Sequence, residues 1–118
     1  TQYMEPAVAE LDAFAQGLTT QDPVVALASN RDGTLVTSGQ AFLTRLISQV
    51  TSPVRWDLCL STMVDAGVTG IIELLPGGTL TGIARRAMKG IKTLAIKTPA
   101  DLEKAQDFIA EHTQNISA

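Results

Sequence analysis

The stretch that decides the fold is residues 68–90, VTGIIELLPGGTLTGIARRAMKG. Its first part, 68–75, is an apolar run that predicts a β-strand covered on both faces. The turn-forming sequence Pro-Gly-Gly follows at 76–78 and leads into a predicted helix over 79–89, which Gly90 closes. A strand that turns directly into a helix indicates an α/β protein.

The flanking sequence repeats this alternation of apolar runs and helical periodicity. Helices are predicted over 3–18, 37–50, 53–67 and from 99 onward, and strands over 24–28, 35–36 and 91–97. Because the strands are short, apolar and separated by helices, we predict the α/β class with a mostly parallel sheet of about three strands and helices on both faces. We expect residues 1–112 to form one portion of a domain and 113–118 to form a tail.

The composition excludes several classes of function. A net charge of −3 argues against a general nucleic-acid binder, and no apolar run approaches the ~18 residues that cross a bilayer. One cysteine, Cys59, makes an internal disulfide impossible and fits a reducing, cytoplasmic setting. One Cys and one His give no plausible zinc site, and we expect no cofactor.

The chain has no complete catalytic constellation of its own. No Gly-x-Ser-x-Gly elbow is present to expose a nucleophilic serine. The one histidine, His112, lies on the last predicted helix, where a surface position near the helix C-terminus is the favoured interpretation. Cys59 lies on an apolar helix face beside Trp56 and Met63, which favours a buried core thiol over a nucleophile.

Two features of the 68–90 stretch have alternative interpretations. Residues 76–82 are glycine-rich and lead from strand to helix, as in anion-binding loops, but they match neither nucleotide-binding pattern. The favoured interpretation is a tight turn in which Thr79 caps the helix and Gly82 allows close packing on the sheet. Glu73, inside an apolar strand, is a candidate site residue, although a structural role that accepts hydrogen bonds is favoured.

Four ordered motifs give the chain a family resemblance. They are Met4-x-Pro6-Ala7, Ser29-Asn30-x-Asp32-Gly33, the run 49–56 (QVTSPVRW) and the run 73–86 (ELLPGGTLTGIARR). In this order and at this separation they resemble the C-terminal part of malonyl-CoA:acyl-carrier-protein transacylases. The run 49–56 is more similar to the discrete bacterial enzymes of fatty-acid synthesis than to the acyltransferase domains of modular synthases.

The resemblance implies an α/β-hydrolase-like core and a two-step acyl transfer. In such enzymes a serine attacks malonyl-CoA, a histidine acts as base, and the phosphopantetheine thiol of acyl carrier protein takes the malonyl group from the seryl ester. The serine, the histidine, the oxyanion loop and the arginine that binds the malonyl carboxylate would all precede Thr1. We therefore expect a C-terminal fragment that is inactive alone and that needs the missing N-terminal part as a partner.

One position of the chain carries over clearly from the family's active site. The main-chain carbonyl of Gln49 is implied to accept a hydrogen bond from the catalytic histidine, in place of the acid of a triad. This fits the physics of the run, because a helix that ends near Gln49 leaves carbonyls without helical donors. Asn30 is also expected near the active-site cleft, because its loop follows the end of a predicted strand, and it is a substrate-binding candidate without an assigned role.

A basic segment supplies further candidates. Residues 85–97 contain Arg85, Arg86, Lys89, Lys92 and Lys97 and no acidic residue. Arg86 and Lys89 are candidates for docking the acidic carrier protein, while complementing a helix dipole is the alternative. A non-catalytic α/β binding module or carrier-docking module is the alternative for the whole chain.

Overall fold

A computed structural model describes residues 2–113 of the chain. After a short 3₁₀ turn at Gln2–Met4, nine elements follow in chain order: α1 (Glu5–Ala15), β1 (Leu27–Ala28), β2 (Leu35–Val36), α2 (Gly39–Gln49), α3 (Trp56–Asp65), β3 (Gly70–Glu73), α4 (Thr79–Ala87), β4 (Lys92–Ala95) and α5 (Asp101–Thr113). The order is that of an α/β protein, so the predicted class is confirmed.

The described residues form two compact units, and the division falls within α3, between Thr62 and Met63. In the first unit, β1 and β2 pair antiparallel. In the second, β3 and β4 pair parallel, with Gly70 opposite Lys92 and Glu73 opposite Ala95. The described strands therefore make two pairs rather than the single sheet of about three strands that the sequence predicts. Connection length explains the direction of each pair: the turn 29–34 is too short for a parallel crossover, whereas the connection through α4 is long enough for one.

The segment before β1 differs from its prediction. Only Leu27 and Ala28 of the predicted strand 24–28 are in β conformation. Val24 is fully exposed and Val25 is 76% exposed, so the prediction of a strand buried on both faces is wrong for residues 24–26. An apolar run indicates that a segment suits burial, but burial also needs a neighbouring strand. Within residues 2–113, β2 pairs with this segment over two residues only.

The start of α4 is organised by the carboxylate of Glu73, which is 7% exposed at the end of β3. Its Oε2 accepts hydrogen bonds from Gly78 N–H at 2.8 Å, Thr81 N–H at 2.9 Å and the Thr81 hydroxyl at 2.9 Å. Its Oε1 accepts from Leu80 N–H at 3.0 Å. These are the N–H groups that the first turn of a helix leaves without partners. The structural interpretation of Glu73 is confirmed, and these donors already bind an internal anion.

Two details of this turn correct the sequence-based expectation. The residue before α4 is Gly78, with φ of 132° and no side-chain cap, so Glu73 takes the capping role that was predicted for Thr79. Gly82 faces open space, whereas a Cβ on Gly77 would lie 3.0 Å from the carbonyl oxygen of Ile96 and 3.1 Å from Ala95 Cβ. The glycine that permits close packing on the sheet is therefore Gly77.

A matched pair of glycine substitutions separates crowding from helix propensity. A Cβ on Gly39 would overlap the carbonyl oxygen of Gln21 and lie 2.7 Å from its carbonyl carbon, so Gly39→Ala is expected to destabilise the chain by about 1–3 kcal/mol. Gly82→Ala, in a helix with open space around it, is expected to stabilise by roughly 0.5–1 kcal/mol. Urea unfolding measures both, and a Gly39→Ala variant as stable as the parent would contradict the described packing.

The Glu73 cradle predicts a pH dependence of stability. The N–H of Thr81, with those of Leu80 and Gly78 and the Thr81 hydroxyl, lowers the pKa of Glu73 from 4.5 to about 2. A carboxylate whose pKa is lowered by folding stabilises the fold above its unfolded pKa and loses that effect as pH falls toward 2. Glu73→Gln is therefore expected to lower the thermal midpoint at pH 7, by an amount that shrinks between pH 4.5 and 2.

Thermal unfolding at several pH values measures this, and Glu103→Gln is the control because Glu103 is exposed on α5. A gap between parent and Glu73→Gln that stays constant from pH 7 to pH 2 would show that the charge of Glu73 does not matter.

Candidate functional site

Helix α2 ends at Gln49 because of the residue four positions later. An α-helical carbonyl accepts from the N–H at i+4, and for Gln49 that position is Pro53, which has no N–H. The Gln49 carbonyl instead accepts from Ser52 N–H at 3.1 Å. A carbonyl oxygen has two lone pairs, so this one keeps acceptor capacity for a further donor.

The corner after α2 is held by side chains of the same run. The Gln49 amide donates from Nε2 to the carbonyls of Ser52 at 3.2 Å and Pro53 at 3.0 Å. The Ser52 hydroxyl donates to the Ser48 carbonyl at 2.8 Å. Ser52 thus does not cap α3, and that helix begins at Trp56 rather than at Pro53. The Nε2 donor of Gln49 is therefore used within the corner, and its main-chain carbonyl lies at the end of α2 with acceptor capacity.

Asn30 lies in the turn 29–34, which joins β1 to β2. The turn is closed by Ser29 N–H donating to the Thr34 carbonyl at 2.9 Å and by Gly33 N–H donating to the Ser29 carbonyl at 2.8 Å. Gly33 has φ of 72°, as the turn sequence predicts. The Asn30 carbonyl accepts from Arg55 N–H at 2.7 Å. The turn is therefore tied directly to the end of the 49–56 run.

The structure brings Asn30 and Gln49 to the same cavity, of about 170 Å³. Its other lining residues, mostly apolar, are Leu27, Ala28, Ser29, Phe42, Arg45 and Leu46. All of these belong to the first unit. The two candidate positions, 19 residues apart in sequence, thus line one cavity.

Arg45 is a residue of this site that the sequence analysis does not select. Its Nη1 lies 2.8 and 2.9 Å from the two carboxylate oxygens of Asp32, and 3.2 Å from the hydroxyls of Ser29 and Thr34. Hydrogen bonds from the Thr34 hydroxyl and N–H, and then from Arg45, lower the pKa of Asp32 to about 2, although desolvation acts to raise it. Arg45 lies four residues before Gln49, and that spacing on one helix face was the available signal.

Cys59 takes the buried place that was favoured for it, whereas the surface position favoured for His112 is only partly observed. The Cys59 thiol is 1% exposed, its Sγ lies 3.4 Å from the Ser29 carbonyl, and burial raises its pKa, so a core thiol is confirmed. In the second unit, His112 is half-buried rather than fully on the surface. Its Nδ1 lies 2.8 Å from the Thr69 hydroxyl and its ring packs on Phe108.

Arg86 and Lys89 lie in the second unit, both exposed. Arg86 is in the last turn of α4, where a cation also complements the helix dipole. Lys89 lines a groove of about 510 Å³ whose apolar members include Val64, Val68 and Met88. Within residues 2–113, neither cation has an acidic group at ion-pair distance.

Residues 2–113 contain no cluster of three or more His, Cys, Asp or Glu side chains that could hold a metal ion. No helix among them combines the length and the apolar character that a bilayer span requires.

The chain is similar to known proteins over most of its length. No protein-family model matches it. The malonyl CoA-acyl carrier protein transacylase of Mycobacterium tuberculosis is 48% identical over 104 residues, which is 88% of this chain and 34% of that protein. The chain therefore spans about a third of the length of the curated relatives it matches.

Solved structures give the same result for the backbone. The crystal structure of the Mycobacterium tuberculosis enzyme superposes with a TM-score of 0.82 over 88% of this chain and 34% of that one. A malonyl-transacylase solved in complex with a type II polyketide synthase acyl-carrier protein superposes with a TM-score of 0.76 at 28% identity, over 86% of this chain and 33% of that one. Because sequence and backbone agree over the region that contains the 49–56 and 73–86 runs, this chain is a homologue of the C-terminal third of malonyl-CoA:acyl-carrier-protein transacylases.

Proposed function

We propose that this chain forms part of a malonyl-CoA:acyl-carrier-protein transacylase of fatty-acid synthesis, acting in the cytoplasm. In the proposed reaction a serine oxygen attacks the thioester carbonyl of malonyl-CoA, a histidine takes the serine proton, and that proton leaves with the CoA thiol. The phosphopantetheine thiol of the carrier protein then attacks the seryl ester and releases the serine.

The nucleophile and the base of this reaction come from outside the 118 residues. The sequence contains no Gly-x-Ser-x-Gly elbow, and its one histidine, His112, is occupied by Thr69 and Phe108 in the second unit. What this chain contributes is the support for the base.

The observation that carries the proposal is the Gln49 carbonyl. Because Pro53 has no N–H to donate to it, this carbonyl keeps acceptor capacity, and Gln49 lines the same cavity as Asn30. A histidine N–H that donates to this carbonyl would be fixed in tautomer and orientation, which is the service that an acid performs in a Ser-His-Asp triad. A neutral carbonyl stabilises an imidazolium less than a carboxylate does, so the support given by Gln49 is mainly one of geometry.

A chimera tests this function. We expect the 118 residues alone to transfer no malonyl group from CoA to carrier protein, because they hold neither nucleophile nor base. We expect transfer when they are joined behind the preceding two-thirds of the Mycobacterium tuberculosis relative. Labelled malonyl-CoA and holo carrier protein give the readout, and the preceding two-thirds alone is the control. Activity of the 118 residues alone, or a folded but inactive chimera, would refute the proposal.

The groove beside Lys89 supports a second, compatible role in docking the carrier protein. Arg86 and Lys89 are exposed cations without acidic partners in residues 2–113, and Lys89 lines a mostly apolar groove. An acidic helix that also presents apolar side chains fits such a surface, since charge steers the approach and the groove buries the apolar groups.

Charge reversal tests the docking role. We expect Arg86→Glu together with Lys89→Glu to weaken binding of acyl carrier protein to the chain at least tenfold at low salt, and the loss to shrink as salt rises. Titration calorimetry or fluorescence anisotropy measures the affinity. Lys104→Glu, an exposed cation on α5, is the control and is expected to change affinity little. Unchanged affinity in the double variant would remove the docking role.

A further inference from the structure

Arg45 makes every polar contact between α2 and the turn 29–34 in the part of the chain that the structure describes. A single nitrogen, Nη1, reaches the start of the turn at Ser29, its middle at Asp32 and its end at Thr34. The side chains of Arg45 and Asp32 are 30% and 36% exposed. Three contacts spread along six residues fix the turn in position and orientation, which one contact would not do.

Both ends of this tether lie at the cavity wall. Asn30 follows Ser29 directly in the turn, and Gln49 lies one helical turn after Arg45 on α2. Arg45, Asn30 and Gln49 all line the cavity. The guanidinium group of Arg45 therefore sets the distance between the turn 29–34 and the end of α2 at Gln49.

The other supports of the turn come from α3 and the residue before it. Arg55 N–H donates to the Asn30 carbonyl, and the Thr62 hydroxyl donates to the Gly33 carbonyl at 2.7 Å. These bonds hold the turn against α3 but do not connect it to α2. Without Arg45 the turn would lose its polar connection to the helix that ends at Gln49, and its own hydrogen bonds would open more often because Ser29, Asp32 and Thr34 lose a shared partner.

We propose that Arg45 is a positioning residue of the transacylase active site, which acts by tethering the Asn30 turn to the helix that ends in the Gln49 carbonyl. The proposal rests on the function proposed above, because it concerns the placement of the carbonyl that supports the base. A small displacement of a positioning group is enough to reduce a rate up to about a hundredfold.

The test uses the chimera described above with substitutions at both ends of the tether. We expect Arg45→Gln to lower kcat about tenfold or more, with KM for malonyl-CoA within about twofold and with a displaced acidic limb of the kcat–pH profile. Arg45→Lys keeps a donor and a charge and is expected to recover most of the loss. Arg31→Gln removes an exposed arginine from the same turn and is expected to leave kcat unchanged.

A double-variant cycle checks that the effect passes through the tether. Asp32→Asn should lower kcat as well, and the variant that combines it with Arg45→Gln should be no worse than the poorer single variant. Additive losses, or an unchanged kcat in Arg45→Gln, would overturn the proposal.

Hydrogen exchange on the 118-residue chain gives a readout that does not depend on activity. Arg45→Gln should speed exchange of the Ser29 and Gly33 amides, whose partners are the Thr34 and Ser29 carbonyls, relative to Arg31→Gln. If the parent chimera is inactive while Arg45→Gln speeds exchange in the 118-residue chain, the proposed function is refuted and the tether is supported. Unchanged exchange would refute the tether itself.

Discussion

The missing N–H of Pro53 is the constraint on which the candidate site depends. A helix that reaches Gln49 can give that carbonyl no i+4 donor, so the same residue that ends α2 also creates an available acceptor. The corner is then stabilised by the groups nearest to it, the Gln49 amide and the Ser52 hydroxyl. Two residues further on, Arg55 N–H binds the Asn30 carbonyl and brings the turn 29–34 to the same place.

Each unit fixes its loop with a carboxylate whose pKa is about 2. Asp32 accepts from Thr34 and Arg45 in the first unit, and Glu73 accepts from the first turn of α4 in the second. This explains why the glycine-rich segment 76–82 resembles an anion-binding loop in sequence. It does bind an anion, but the anion is the side chain at the end of the preceding strand, so the loop is a structural joint.

The parts of this structure that the sequence predicts are those governed by local chemistry. Gly33, Gly67 and Gly90 take positive φ where a turn or a helix end requires it, and α4 follows β3 as the 68–90 stretch indicates. Gln49 was selected because the family resemblance named it and a helix end explained it. Asn30 was expected near the cleft because its loop follows a strand end, and the cavity that it shares with Gln49 emerges only in three dimensions.

The sequence-based predictions fail where contacts with residues distant in sequence determine the structure. The apolar character of Val24 and Val25 predicted burial, but burial needs a neighbouring strand that no local pattern reveals. The antiparallel pairing of β1 with β2 follows from the length of the turn between them, and the role of Arg45 follows from contacts 11 to 16 residues away. Sequence periodicity contains neither kind of information.

A main-chain acceptor places a particular demand on its surroundings. A carboxylate that supports a histidine can correct a small displacement by rotating its side chain, whereas a carbonyl such as that of Gln49 moves only with the backbone. The accuracy of the proposed site therefore depends on how firmly α2, the corner at Pro53 and the turn 29–34 are joined. The ion pair from Arg45 to Asp32, the bond from Arg55 N–H to Asn30 and the close packing of Gly33 against Leu58 together supply that firmness. Support by geometry rather than by charge thus explains why so many contacts converge on a turn that contains no catalytic group of its own.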